Sequence, residues 1–136
     1  MINRAGIELI KSVVKNLYYQ SAPGYFGFNM GDSMDYSDST ASSLATWYKL
    51  LLSDDPEMEY VATGGKSGKL PDFTSISYPI GLRTYMRDGW GERDISLCFT
   101  AKAGGSHGHS DALSFAMWAY GQFLLTDQSY GSTQTG

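Results

Sequence analysis

The apolar residues of this sequence change their spacing near residue 70, and that change limits the folds open to the chain. From Arg4 to Tyr19, the residues Ile7, Ile10, Val13, Val14, Leu17 and Tyr18 recur at helical steps, while Glu8, Lys11, Lys15 and Asn16 fall mainly on the other side. That is the pattern of an amphipathic helix. In "DISLCFT" the step is two: Ile95, Leu97 and Phe99 share one face and Ser96, Cys98 and Thr100 the other, which marks a half-buried strand. Helices followed by antiparallel strands place the chain in the α+β class.

Punctuating residues divide these two halves further. "APG" at Ala22 to Gly24 stops the first helix. After a loop, Asp38 or Ser39 is placed to cap a second helix through Leu52, with Leu44, Trp47, Tyr48, Leu51 and Leu52 as its buried stripe. Pro56 suits the first position of a short third helix. Thr63 to Pro71 reads as a flexible connector, and it is no phosphate loop, because Tyr60 stands where that pattern requires glycine. "GLRTYMRDGW" then predicts a strand entering a turn at Asp88-Gly89. "ALSFAMWAY" and "FLLTD" predict two more, joined by a type II′ hairpin turn at Gly121-Gln122.

The whole chain has 136 residues, enough for one ordinary core. A net charge of −4 argues against nucleic acid or an anionic membrane as partner, so an acidic substrate would need a local cationic pocket. No run of apolar residues is long enough to span a bilayer, and the first twenty residues lack the pattern of a signal peptide. The end on "GSTQTG", directly after a strand, predicts a truncated fold. Ten tyrosines and sixteen glycines suit a turn-rich protein with sheet; the tyrosines fit a core as well as a sugar-binding surface. Cys98 alternates with apolar neighbours and reads as a small buried residue.

Both histidines of the chain, His107 and His109, lie in the glycine-rich stretch "GGSHGHSDALSF". Imidazole and carboxylate are good zinc ligands, so some of His107, His109, Asp111 and Asp127 could form a metal site. An HxH pair alone is unspecific. A cupin would follow it with glutamate, where this chain has "SDAL", and an amidohydrolase would place it early in an alternating strand-helix chain. Geometry adds a condition. With the turn at Gly121-Gln122, Tyr120 pairs with Phe123 and Asp127 lies opposite Ala116; a straight strand then leaves His109 about 23 Å away at ~3.3 Å per residue. A bend at Gly104, Gly105 or Gly108, or an interrupted ladder, is needed to bring His109 and Asp127 together.

"YMRDGW", "HGHSDALSF", "AYG" and "LLTD", in this order, together with "GDS" at Gly31 to Ser33, resemble the heparinase II/III-like polysaccharide lyases, which act on heparin, heparan sulfate and alginate. After Asp127 the chain has Gln128 and Ser129, where that family often has proline and glycine. The resemblance implies that residues 1–70 are the last helices of an α/α toroid and residues 71–136 the first strands of an antiparallel β-sandwich. It implies that His107 faces the substrate cleft, and that His109 and Asp127 hold a structural zinc whose third ligand lies beyond Gly136. Asp111 would orient a histidine from behind.

The activity implied is β-elimination at a uronic acid unit of an acidic polysaccharide, by a parent enzyme outside the cytoplasm of a bacterium. The catalytic tyrosine and the group that neutralises the substrate carboxylate would come from earlier helices, so this segment alone would be inactive. The competing reading is a non-catalytic, zinc-stabilised sugar-binding or structural β module. Three further features have plainer interpretations than a functional one: Arg87 reads as an exposed strand-end arginine before a substrate-carboxylate clamp, Trp90 and Trp118 as packing residues before sugar platforms, and Asp32, Asp35 and Asp38 as solvated turn and cap, because they lack the glycine and terminal glutamate of a calcium loop.

Overall fold

A computed structural model describes residues 3–23, 28, 46–50, 54–63, 65–101 and 113–126. The first helix, α1 (Arg4–Tyr19), opens on Asn3, whose side chain accepts the Gly6 amide at 2.9 Å and so satisfies one of the free donors of the first turn. It ends ahead of Pro23, as the sequence predicts. A second helix, α2, is described over residues 46–50. The third, α3 (Pro56–Ala62), starts with proline at its first turn, and the Asp55 carboxylate accepts the amides of Glu57 and Met58. The expected cap at Asp38 or Ser39, the aspartates 32, 35 and 38, and the "GDS" triplet lie outside the described residues.

Val14 and Tyr18 of α1 pack with Met58 and Val61 of α3 into one core cluster, against which Ile10, Tyr48 and Trp90 lean. The apolar stripe of α1 is therefore only partly used. Val13 and Leu17, expected inside, are half exposed, as is Trp47 of α2. The described residues bury the helices from one side and leave a second apolar side open.

The segment expected to be a flexible connector is instead a wrapped turn against α3. Thr63 Oγ1 donates to the Glu59 carbonyl and accepts the Ser67 amide, Ser67 Oγ donates to Glu59, and the Lys69 amide returns to the Pro56 carbonyl at 2.8 Å. Gly68 makes this possible. Its φ of +95° is left-handed, and a Cβ there would strike the Pro56 carbonyl and the Tyr60 amide. The sequence pattern reads as a flexible connector, whereas the close backbone approach uses the glycine to seal the turn.

Five strands follow in an antiparallel meander: β1 (Ile76–Tyr78), β2 (Arg83–Arg87), β3 (Ser96–Thr100), β4 (Ser114–Ala119) and β5 (Gln122–Leu125), in that spatial order. Alternation puts Tyr85, Cys98 and Ala116 abreast on the side that faces the helices, where Phe28 and Tyr78 complete a second core cluster. Cys98 is fully buried, as expected. The three-residue β1 escaped the sequence reading because Pro79 and the polar run before Ile76 mask its alternation.

The last hairpin departs from expectation by one residue. Tyr120 and Gly121 are the central pair, with φ of +57° and +89°, so the turn is of the type that needs two left-handed residues, and Ala119 pairs with Gln122. Phe123 consequently lies opposite Trp118, replacing the expected pairing with Tyr120, and the ladder shifts again between Met117 and Trp118. A tyrosine rarely accepts a left-handed backbone, so sequence reasoning gave the first turn position to glycine. Here the fit to the strand twist outweighs that cost.

Candidate functional site

The meander brings several chain segments to one end of the sheet. Thr100 pairs with both Arg83 and Ser114, so the connection from β3 to β4 leaves at Ala101 and returns at Leu113 beside the β1–β2 turn. The Ala101 amide bonds to the Leu82 carbonyl at 2.8 Å and closes this corner. β5 runs antiparallel to β4 and pairs Leu125 with Met117, so Thr126 emerges toward the same end. Two residues here are held in the left-handed region without being glycine: Leu82 with φ of +50° and Leu113 with φ of +64°. Each such residue costs on the order of 1 kcal/mol, and backbone strain of this kind gathers at binding sites. With Leu113 left-handed, the regular strand β4 begins at Ser114.

On the helix-facing side of the sheet, the end of α1 is fastened to β1 and β2 by polar contacts. Tyr78 donates to Asn16 Oδ1 at 2.6 Å, and Tyr85 to Gln20 Oε1 at 3.3 Å. Burial pushes the Tyr85 hydroxyl up to about 12 and holds the Cys98 thiol above its ordinary value, so both are neutral and protonated. Arg87 is the third fastening, and it corrects the sequence reading: it is 8% exposed, neither a solvated strand end nor open to a sugar carboxylate. Its guanidinium donates to the carbonyls of Tyr19, at 2.7 Å, and Ser21, at 3.4 Å, and lies 3.9 Å from the centre of the Trp90 ring. Burial pulls it down to about 10, which still leaves it charged at neutral pH.

The tryptophans pack as expected. Trp90 stacks on Tyr18 and donates to the Phe73 carbonyl, and the buried Trp118 donates to the Glu92 carbonyl. A separate open cleft of about 470 Å³ lies between α1 and α3, lined by Lys11, Lys15, Asp54 and Asp55 among others. Its lysines are occupied: Lys11 meets Asp54 at 3.5 Å, and Lys15 meets Asp55 at 3.2 Å and Glu57 at 2.9 Å. Burial lowers the Lys15 ammonium, but the bonds to Glu57 and Asp55 outweigh it and hold the group above its ordinary value. This cleft has little charge to offer an acidic ligand.

His107, His109, Asp111 and Asp127 lie outside the described residues, as do Gly104, Gly105 and Gly108. Among the described residues no group of three or more His, Cys, Asp or Glu side chains could hold a metal ion. Sequence reasoning passed over Arg83 and Ser114, which the register sets on the helix-facing side at the same sheet end. The signal was present in "RTYMR": Arg83, Tyr85 and Arg87 alternate, so once Arg87 is known to face the helices, Arg83 must as well.

Helices followed by a five-stranded antiparallel sheet define an α+β fold. Comparison with solved structures specifies which. The fold matches that of heparinase III, the BT4657 gene product, with a TM-score of 0.83 at 24% identity over 99% of this chain and 22% of that one. It also matches the heparan sulfate lyase HepC from Pedobacter heparinus, with a TM-score of 0.81 at 22% identity, covering 98% of this chain and 22% of that one. A further structure of heparinase III gives 0.74 at 16% identity over 94% of this chain. The chain thus has the fold of part of a heparinase III structure and spans about a fifth of the length of these proteins. No protein-family model matches the sequence, and no curated protein matches it.

Proposed function

We propose that the chain is a segment of a polysaccharide lyase that cleaves uronic-acid-containing polysaccharide, of heparan sulfate or alginate type, by β-elimination. The observation that carries this reading is the agreement of fold with heparinase III and heparan sulfate lyase structures over nearly the whole chain, in a sequence that bears the ordered motifs described above. Residues 1–70 then belong to the end of a helical toroid and residues 71–136 to the start of a β-sandwich. The open apolar side of α1 and the outer face of the sheet, where Met86, Phe115 and Leu125 stand exposed, support an architecture continued by further helices and a second sheet. No described helix is long and apolar enough to cross a membrane, and we place the parent enzyme outside the cytoplasm, where its polymeric substrate is met.

β-Elimination requires three things of a site: the substrate carboxylate must be neutralised, the proton beside it removed, and the leaving glycosidic oxygen protonated. His107, with an ordinary pKa near 6.5, can hold or donate a proton close to neutral pH. His109 and Asp127 have the donor chemistry of a zinc site, and the segments that carry them are anchored at Ala101, Leu113 and Thr126, toward one end of the sheet. Zinc there would fix the loop and thereby the direction of His107. In the complete protein, ultraviolet absorbance of the unsaturated product should rise on heparan sulfate or alginate. His107→Ala should lower kcat at least about a hundredfold while fold and zinc content persist. Absence of any unsaturated product from either polymer sinks the lyase reading, and unchanged turnover in His107→Ala sinks the role of that histidine.

A further inference from the structure

Arg83 is unlike the other cations among the described residues. Lys11, Lys15 and Lys69 each meet a carboxylate, Arg87 is buried among carbonyls, and Arg4, Lys49, Lys66 and Arg93 are exposed to water. Arg83 is half-buried, and among the described residues no carboxylate pairs with it. Its charge is therefore not met by a carboxylate among the described residues, and a guanidinium left in that state is suited to a planar, charge-assisted pair with an anionic ligand. The Tyr85 hydroxyl and the Cys98 thiol, on the same side of the sheet, are held protonated by burial, so neither supplies a negative charge.

The neighbouring strands add a second observation. Arg83, Thr100 and Ser114 lie abreast on β2, β3 and β4, so about 10 Å separates the Cα atoms of Arg83 and Ser114, within reach of an arginine stem and one anionic group between. Ser114 Oγ is buried and has no hydrogen-bond partner. A buried hydroxyl left unsatisfied is uncommon in a native protein and asks for an explanation. Leu82 and Leu113, the residues immediately before Arg83 and Ser114 in the chain, are the two with left-handed backbones at this end. The row also stands at the base of the connection that carries His107.

We propose that Arg83, with the Ser114 hydroxyl two strands away in the same row, is an anion-recognition site for the acidic saccharide, taking a uronate carboxylate or a sulfate ester. This rests on the lyase reading and names a residue that sets which substrate is held. Planar carboxylate and tetrahedral sulfate each offer the guanidinium two acceptor oxygens, so substrate chemistry must separate them.

The test uses the complete protein with sulfated heparan sulfate and with an unsulfated uronate polymer. Arg83→Ala should raise KM about tenfold with kcat changed less than about twofold, and Arg83→Lys should recover part of the loss. Loss confined to the sulfated substrate assigns the sulfate, and equal loss on both assigns the carboxylate. A KM within about twofold of wild type on both polymers overturns the proposal while continued elimination keeps the lyase reading. If the wild type eliminates neither polymer, the lyase reading fails on its own. Calorimetric titration with a sulfated oligosaccharide then decides the anion site: affinity lost in Arg83→Ala keeps it, and equal or absent binding in both proteins overturns it. Should Arg83→Ala fail to fold, Arg83→Lys and Ser114→Ala carry the same comparison, with a KM rise of about threefold expected and no change in KM overturning the site.

Discussion

The two faces of the same five strands are built on opposite terms. Toward the helices the sheet presents Tyr85, Arg87, Cys98 and Trp118, all buried, and three of these side chains are bonded or stacked to named partners. Away from them it presents Met86, Phe115 and Leu125, between 42% and 48% exposed, with Leu97, Phe99 and Met117 half-buried beside them. Strand alternation made both faces, but only one is completed by the described residues. The difference teaches that one face of the sheet is a closed junction with the helices, while the other is an apolar face that the described residues leave uncovered.

The junction should be the more costly side to disturb. Arg87→Ala removes two charged hydrogen bonds and a stacked cation and orphans two carbonyls, so it should destabilise by about 4 kcal/mol in urea denaturation followed by circular dichroism. A loss under about 1 kcal/mol would mean that water replaces the guanidinium and the junction is not its work. Met58→Ala, in the helical cluster behind the junction, should cost about 3 kcal/mol by the same measurement. Gly68→Ala should cost about 2 kcal/mol, from a left-handed backbone and a contact with the Pro56 carbonyl; a neutral result would return the turn to the status of a loose connector.

The alkaline limb of stability sharpens the comparison further. Tyr19 and Tyr85 are each pushed up to about 12 from an ordinary 10.0, by burial first and, for Tyr19, by its bond to Glu57 next. In the unfolded chain both titrate near 10, so their stabilisation is complete below that pH and is lost as pH rises from about 10 to about 12. Lys15, raised as well, acts in the same direction, and Arg87, lowered to about 10, opposes them. Stability measured against pH should be flat to about 10 and fall beyond it, less steeply in Tyr85→Phe. The smallest effect should come from the outer face. Phe115→Thr should change the stability of the isolated segment by less than about 0.5 kcal/mol. The same change in the complete protein should cost several times more if a second sheet covers that side.

Much of the architecture was legible. The helical stripe of α1, the proline opening α3 and the alternation of β2 and β3 each rest on a period or a cap that local sequence carries directly. The resemblance to the heparinase-like lyases, drawn from motif order, agrees with the fold of the solved structures. The final turn was not legible to the residue, because a tyrosine's left-handed backbone is imposed by the twist of the strands it joins. Nor was the wrapped turn at Thr63 to Pro71, where composition indicates freedom and contacts remove it.

The order of elements, their types and the side of each strand that is apolar follow from spacing alone, because local geometry converts spacing into faces. Which face is closed, that Arg87 is buried against carbonyls, and that Arg83 meets no carboxylate among the described residues follow from strand register and from the bonds that join β2 to the end of α1. Those depend on partners more than sixty residues away in the chain, as Arg87 to Tyr19 illustrates at a separation of 68. Burial and pairing are properties of such distant meetings, and no local pattern encodes them.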